Sequence, residues 1–325
     1  MITFTICLLV LIIGYFVYGR FVEKVFGADD RPTPAITKAD GVDFIPMPAW
    51  KLFMIQFLNI AGLGPIFGAI MGAKFGTASF LWIVLGSIFA GATHDYIAGM
   101  LSLRNSGENL PDIIGRYLGK NAKLIMRIFT IVLMVLVGAV FVAGPAGLIA
   151  NLTPSALNTT FWMIVIFIYY LLATLLPIDK IIGRVYPIFA AALLFMAIGV
   201  LVMLYVNMPV LPEIWDGLEN THPNAEKLPI FPIMFVSIAC GAISGFHATQ
   251  SPLMARCMKK EKYGRPVFYG AMIVEGIVAL VWAAAATYFF QKNGMGESNA
   301  AVIVNDITNS WLGTIGGILA ILGVI

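Results

Sequence analysis

Between Ile2 and Phe290 the chain passes eight times through a largely apolar run of about twenty residues. The runs fall at about 2–19, 52–73, 80–101, 128–150, 161–177, 186–207, 229–254 and 267–290, and a ninth, partial run covers 311–325. A helix rises about 1.5 Å per residue, so runs of this length match the roughly 30 Å of hydrocarbon in a bilayer. No soluble fold could cover them, because 60% of the residues are hydrophobic and only 11% are charged; the mean hydropathy is +0.91. The pattern predicts an all-α polytopic membrane protein in which residues 1–325 form a single transmembrane domain.

The charges sort the loops. Odd loops carry Arg20, Lys24, Arg31, Lys38 and Lys51; Arg104, Arg116, Lys120 and Lys123; Lys180 and Arg184; and Arg256, Lys259, Lys260, Lys262 and Arg265. Even loops carry only Lys74, Lys227 and Lys292. Positive residues stay on the cytoplasmic side of a membrane, which places the odd loops inside and the N-terminus outside. A miscounted span would have scrambled this alternation. Residues 20–50, with four prolines, read as a cytoplasmic loop, and 110–120 and 300–309 read as short amphipathic interfacial helices. The first run lacks a basic leader and a small-residue cleavage site, so it reads as a retained span.

Several function classes are disfavoured. A net charge of +3 gives no basic surface for nucleic acid. Cys7, Cys240 and Cys257 are far apart, form no CxxC pair, and read as small hydrophobes. There is no HExxH, no G-x-S-x-G and no GxxxxGK[ST], so an enzyme, a catalytic metal and a resident cofactor are not expected.

Two spans are interrupted. "NIAGLGPIFGAI" (59–70) places Gly62, Gly64, Pro65 and Gly68 within seven residues of the second span. Each Gly costs a helix interior about 1 kcal/mol relative to Ala, and Pro about 3. Non-helical backbone survives at membrane depth only where protein buries it or where it lines a cavity. Secondary transporters place such interruptions at corresponding positions of two repeats, around a midplane substrate. The partner segment is "ACGAISGFHATQSP" (239–252) in the seventh span, five spans on and therefore running the opposite way. Taken singly, each segment also suits close packing through small residues; the pairing favours discontinuous helices in an inverted repeat.

Ionisable residues lie inside the runs: His94 and Asp95 in the third span, His247 in the seventh and Glu275 in the eighth. Such residues face the bundle interior and commonly carry function. His94, Asp95 and Glu275 are candidates for proton coupling, although Asp95 would equally serve to cap a half-helix. Adjacent helical positions diverge by about 100°, so His94 and Asp95 are poorly placed to share a metal ion. Substrate-binding candidates are Gly62, Gly64, Pro65 and Gly68 in one break, and Ser244, Gly245, Phe246, His247 and Thr249 in the other. A carboxylate would dock where a half-helix restarts.

The stretch "FLNIAGLGPIFGAIMGAKFGTASFLWIVLGSIFAGATHDYIAGMLSLRNSGENLPDI" resembles the most characteristic region of the carbon starvation protein A (CstA) family. "SIACGAISGFHATQSP" resembles its second hallmark, and "YGAMIVEGIVALVWAAAA" is similar to the span that follows. The resemblance implies an inner-membrane carrier of the amino acid–polyamine–organocation superfamily with the LeuT-like inverted-repeat fold. Its implied task is import of peptides or pyruvate during carbon starvation, coupled to protons; sodium is the alternative coupling ion. Family members continue beyond a span like 311–325, so the chain is expected to be a fragment. A nutrient sensor on a transporter-like fold is the rival reading; it would be marked by an attached signalling domain, which these residues do not contain.

Overall fold

The computed structural model describes residues 1–150, 153–174, 178–296 and 299–324. Among these, every regular element is helical, apart from one isolated bridge between Met47 and Met258. The main helices are α1 (Ile2–Phe26), α2 (Ala49–Ile60), α3 (Leu63–Ala73), α4 (Ala78–Arg104), α5 (Leu110–Leu118) and α6 (Lys120–Ala150). They continue with α7 (Thr159–Thr174), α8 (Ile178–Asn207), α9 (His247–Ala255), α10 (Gly270–Asn293) and α11 (Ala300–Val324). Five helical stretches are long and apolar enough to cross a membrane, or six if the bent pair α2–α3 is one span. The seventh expected span is divided into short pieces, and the fifth is a shorter apolar helix over 159–172. Residues 175–177, where the fifth run ends, and Ile325, where the ninth stops, lie outside the described residues.

Helix boundaries depart from the hydropathy reading where charge does not stop a helix. The first helix runs beyond Arg20 to Phe26, taking the start of the expected loop with it, and ends where Gly27 adopts a left-handed φ of 72°. At the other end of the chain, the expected interfacial helix and the ninth span form one element, α11, kinked at Gly313 (φ 62°). The α5 helix forms as expected at 110–118.

The interior is built around α10. In the most apolar part of the stretch Glu261–Asn293, 89% of residues are buried, against none in Lys120–Gly147 of α6. The alanines at 283–286 leave the α10 axis slim, so α1, α2 and α3 all pack closely on it. α8 packs on α2 and α11, α9 lies along α4, and α6 pairs with α7 at the periphery. Within α4, residues Gly86–Gly91 form a π-helical turn, closed by the Ala92 N–H donating to Ser87 O. The wide turn leaves the Ile88 carbonyl open to Tyr269, whose hydroxyl donates to it at 3.0 Å.

The loops gather at two ends. At one, Glu261 is fully buried and receives Arg104 through Nε (3.0 Å) and Nη2 (2.9 Å), while the Asp29 N–H also donates to it. Arg256 donates to Gly107 O, Lys262 to Asp30, and Arg265 pairs with Glu23. At the other end the Met1 ammonium meets Glu213, Thr221 donates to Lys74 O, and Lys74 Nζ donates to Gly296 O. Loops one, three and seven are thus tied together, and loops two, six and eight meet around the opposite end with the N-terminus. For these six loops the grouping follows the odd and even sets into which the charges sort them.

Candidate functional site

The first break is short. α2 ends at Ile60, Gly62 takes φ −66° and ψ −135°, and α3 restarts at Leu63 with its axis turned by 48°. Pro65 falls in the first turn of α3, where its missing N–H is no loss and its fixed φ suits the helix. The second break is long. A π turn at Ile230–Met234 and single turns at Phe235–Ser237 and Ala239–Ala242 precede it. Ser244 then adopts φ +44°, and α9 restarts at His247.

The two segments sit on each other. A Cβ added at Gly64 would overlap the Cys240 side chain, and one at Gly68 would lie 2.5 Å from Ser237 O. Gly72 is filled by Ile238, while Gly91 of α4 faces Ala242 O. Phe141 of α6 reaches both breaks: it covers Gly62, and its ring meets Phe246 edge-on at 5.8 Å.

Beneath the second break lies a fully buried polar cluster drawn from three helices. Asp95 (α4) accepts from Gln56 Nε2 (α2) at 2.9 and 3.1 Å, and from Ser251 Oγ (α9) at 2.5 Å. Gln56, Asp95, His247 and Ser251 all have zero exposure. The His247 Nε2 atom stands 3.8 Å from Asp95 Oδ2 without a hydrogen bond, and its Nδ1 is 3.2 Å from His94 Nδ1. His94 itself is exposed. Among the described residues no Lys or Arg comes within ion-pair range of Asp95. A carboxylate held only by neutral donors in an apolar interior is costly in its charged form. Such a site suits a group that exchanges a proton.

The sequence-predicted residues therefore divide. Asp95, His94 and His247 come together, with His247 facing the carboxyl group although it was grouped with the substrate binders. Asp95 bonds to side chains and does not cap a half-helix. Glu275 is buried on α10 beside Cys240, whose Sγ is 3.8 Å from Oε1; its Oε2 has no partner. Gly64 and Gly68 are occupied by packing in this conformation, and Pro65 lies buried beside Gly241. Gly245 is the exception, exposed and with nothing within 4 Å of an added Cβ. The neighbouring Ser244 hydroxyl is buried and unpartnered, Phe246 is half-buried, and Thr249 donates locally to Phe246 O.

Sequence reasoning missed two members. Gln56 is one of two amides in "LFMIQFLNI", with Asn59, and carries no charge to mark it. Ser251 sits within the second interruption, but serines in apolar helices commonly bond to their own backbone and seldom signal a site.

Comparison with known proteins places this arrangement. The family model described as Carbon starvation protein CstA matches residues 1–161 and 145–316. An uncharacterized membrane protein of Haemophilus influenzae is 43% identical over 90% of this chain and 92% of its own length. A Campylobacter jejuni protein named peptide transporter CstA is 31% identical, covering 91% of this chain and 51% of its own. The pyruvate/proton symporter BtsT of Escherichia coli is 29% identical over 86% of this chain and 48% of its own. The chain thus spans about half the length of these two named transporters. No solved structure matches. With the family model covering nearly the whole sequence and both interrupted segments in place, this chain belongs to the carbon starvation protein CstA family.

Proposed function

We propose that the chain forms the working part of a secondary active transporter that imports small nutrients, short peptides or pyruvate-like carboxylates, driven by protons. The observation that carries this reading is the Asp95 cluster: one buried carboxyl group joins α2 of the first broken span, α4, and α9 of the second. A proton gained or lost there changes the forces holding both interrupted helices. The names of the relatives in Campylobacter jejuni and Escherichia coli supply the substrate classes and the coupling ion.

In this reading the bundle belongs to the amino acid–polyamine–organocation superfamily, and its interrupted spans are the first helices of LeuT-like inverted repeats. It lies in the bacterial inner membrane with the N-terminus outside. Substrate meets the second break, where Gly245 is open and the Ser244 hydroxyl has no partner. Gly62, under the Phe141 ring, forms the opposite wall.

Uptake of labelled pyruvate and of dialanine into proteoliposomes, with and without an inward proton gradient, tests the function. Gradient-dependent accumulation of either solute is expected; no accumulation and no exchange of either would refute it. Orientation is tested by cysteine labelling in a cysteine-free background. A label should reach position 220 in intact cells and spare position 259, and the reverse would invert the arrangement.

A further inference from the structure

We propose that His94 and His247 form a two-step proton relay to Asp95, with His94 as its mouth. This deepens the transport reading, on which its physiological meaning rests, and moves His247 from the substrate site into the proton path.

Four observations support it. His94 keeps accessible area, whereas His247 and Asp95 have none, so the series runs from an accessible ring to a fully enclosed carboxyl group. The two rings meet through their Nδ1 atoms at 3.2 Å, which requires one to donate and the other to accept. The remaining nitrogen of His247, Nε2, is buried, has no partner, and stands 3.8 Å from Asp95 Oδ2. Finally, Gln56 donates to both oxygens of the carboxyl group and Ser251 to Oδ1, so neutral donors hold it in place within reach of His247.

The groups around His247 support a neutral wire. α4 presents His94 and Asp95, and α2 presents the uncharged Gln56. At the far end of α9, Arg256 is occupied by Gly107 O and Asn109 Oδ1. Where α9 meets α5, the ionisable Asp112 and Arg116 are engaged with Lys123, Arg127 and Glu108. Of the two other buried carboxyl groups, Glu275 lies on α10 against Cys240, and Glu261 is paired with Arg104 at the loop end.

The transfer balances. Neutral His94 begins with its proton on Nδ1, donated to the bare Nδ1 of His247, whose own proton is on Nε2. A proton from water or buffer adds to His94 Nε2. The His94 Nδ1 proton passes to His247 Nδ1, and the His247 Nε2 proton passes to the Asp95 carboxylate. One proton has entered, both imidazoles are neutral in the opposite tautomer, and Asp95 is a carboxylic acid.

The last step is gated. At 3.8 Å, Nε2 must approach by about 1 Å to reach hydrogen-bonding distance. His247 is the first residue of α9, two residues beyond Gly245, and Gly245 has open space around it. A small swing of α9 at the second break closes the gap, so proton delivery and movement of the broken helix become one event.

The test reads protonation directly. Purified full-length protein in detergent is subjected to a drop in pH, and the infrared band of the protonated Asp95 carboxyl group, assigned by its absence in Asp95→Asn, is followed in time. His94→Gln and His247→Gln should slow its appearance by roughly tenfold or more. His94→Glu, which restores a titratable group at an exposed position, should recover most of the rate and shift its pH profile toward acid. A purely structural role for His94 would leave Glu no better than Gln. An unchanged rate in both Gln variants would overturn the relay. Uptake of pyruvate and dialanine is measured on the same preparations: normal relay kinetics without any uptake would refute the transport reading and leave the relay intact.

Discussion

The two interruptions differ in what glycine does. In the first, at 61–68, glycine gives up its side chain so that another segment can occupy the space: Cys240 and Ser237 fill the positions where Gly64 and Gly68 would carry a Cβ. In the second, at 243–246, glycine borders open space, and the unusual backbone falls on Ser244, with φ +44°. One break is a seat and the other a hinge. Two segments that both carry glycine inside an apolar run can thus be assigned opposite mechanical roles once their neighbours are known. A bend of 48° locked by close packing resists motion, while a stretch of single helical turns with an unpartnered hydroxyl can change shape at low cost.

This contrast is most exposed to Gly64→Leu. A side chain there must displace Cys240, and overpacking of this kind costs about 1–3 kcal/mol, or more when backbone must shift. We expect a clear drop in melting temperature in detergent and complete loss of uptake; near-normal behaviour would mean that the seat is not tight. The next effect concerns the link between the breaks. Asp95→Asn keeps an acceptor for Ser251 but cannot cycle a proton, so gradient-driven accumulation should fall about tenfold or more while exchange persists. Full accumulation would remove Asp95 from the mechanism.

Smaller effects follow. Phe141→Ala uncovers Gly62 and removes the ring from Phe246, and should cost about 1 kcal/mol of stability because the helix is largely exposed. It should also raise substrate leak, measured as efflux without a gradient. Gly245→Ala should be the mildest, within about 0.5 kcal/mol in thermal unfolding. If it proves as damaging as Gly64→Leu, the open space is closed in the working protein and the hinge assignment fails.

Much of this architecture was legible in the residues. Apolar runs announced an all-helical chain with several membrane-length helices, because hydrocarbon imposes a length and leaves no choice of secondary structure. The two breaks were legible because Gly and Pro are expensive in a helix. What could not be read was which side each residue would face. Asp95 and His94 diverge by about 100°, yet both reach His247, because an imidazole offers two nitrogens in different directions. Gln56 lay outside any motif, since a single amide becomes meaningful only when a carboxyl group from another helix lies opposite. Glu275, grouped by type with Asp95, lies beside a thiol on a different element, because buried carboxyl groups share a cost and need not share a site.

The π turn at Gly86–Gly91 governs that facing. A six-residue segment closed by i→i+5 bonding holds one residue more than an α-helix would place in the same length, so everything after it is rotated by about 100° relative to everything before it. Ser87, at the start of the turn, points to Gly241, and Asp95, beyond it, points to Ser251 on the far side of the same break. Removing a single residue from 86–91 would delete no member of the cluster and would leave the span apolar and long enough. It would nonetheless turn the carboxyl group away from Gln56 and bring a different residue inward. The register of α4 is therefore a specification in its own right, carried by one surplus residue that touches none of the groups it aims.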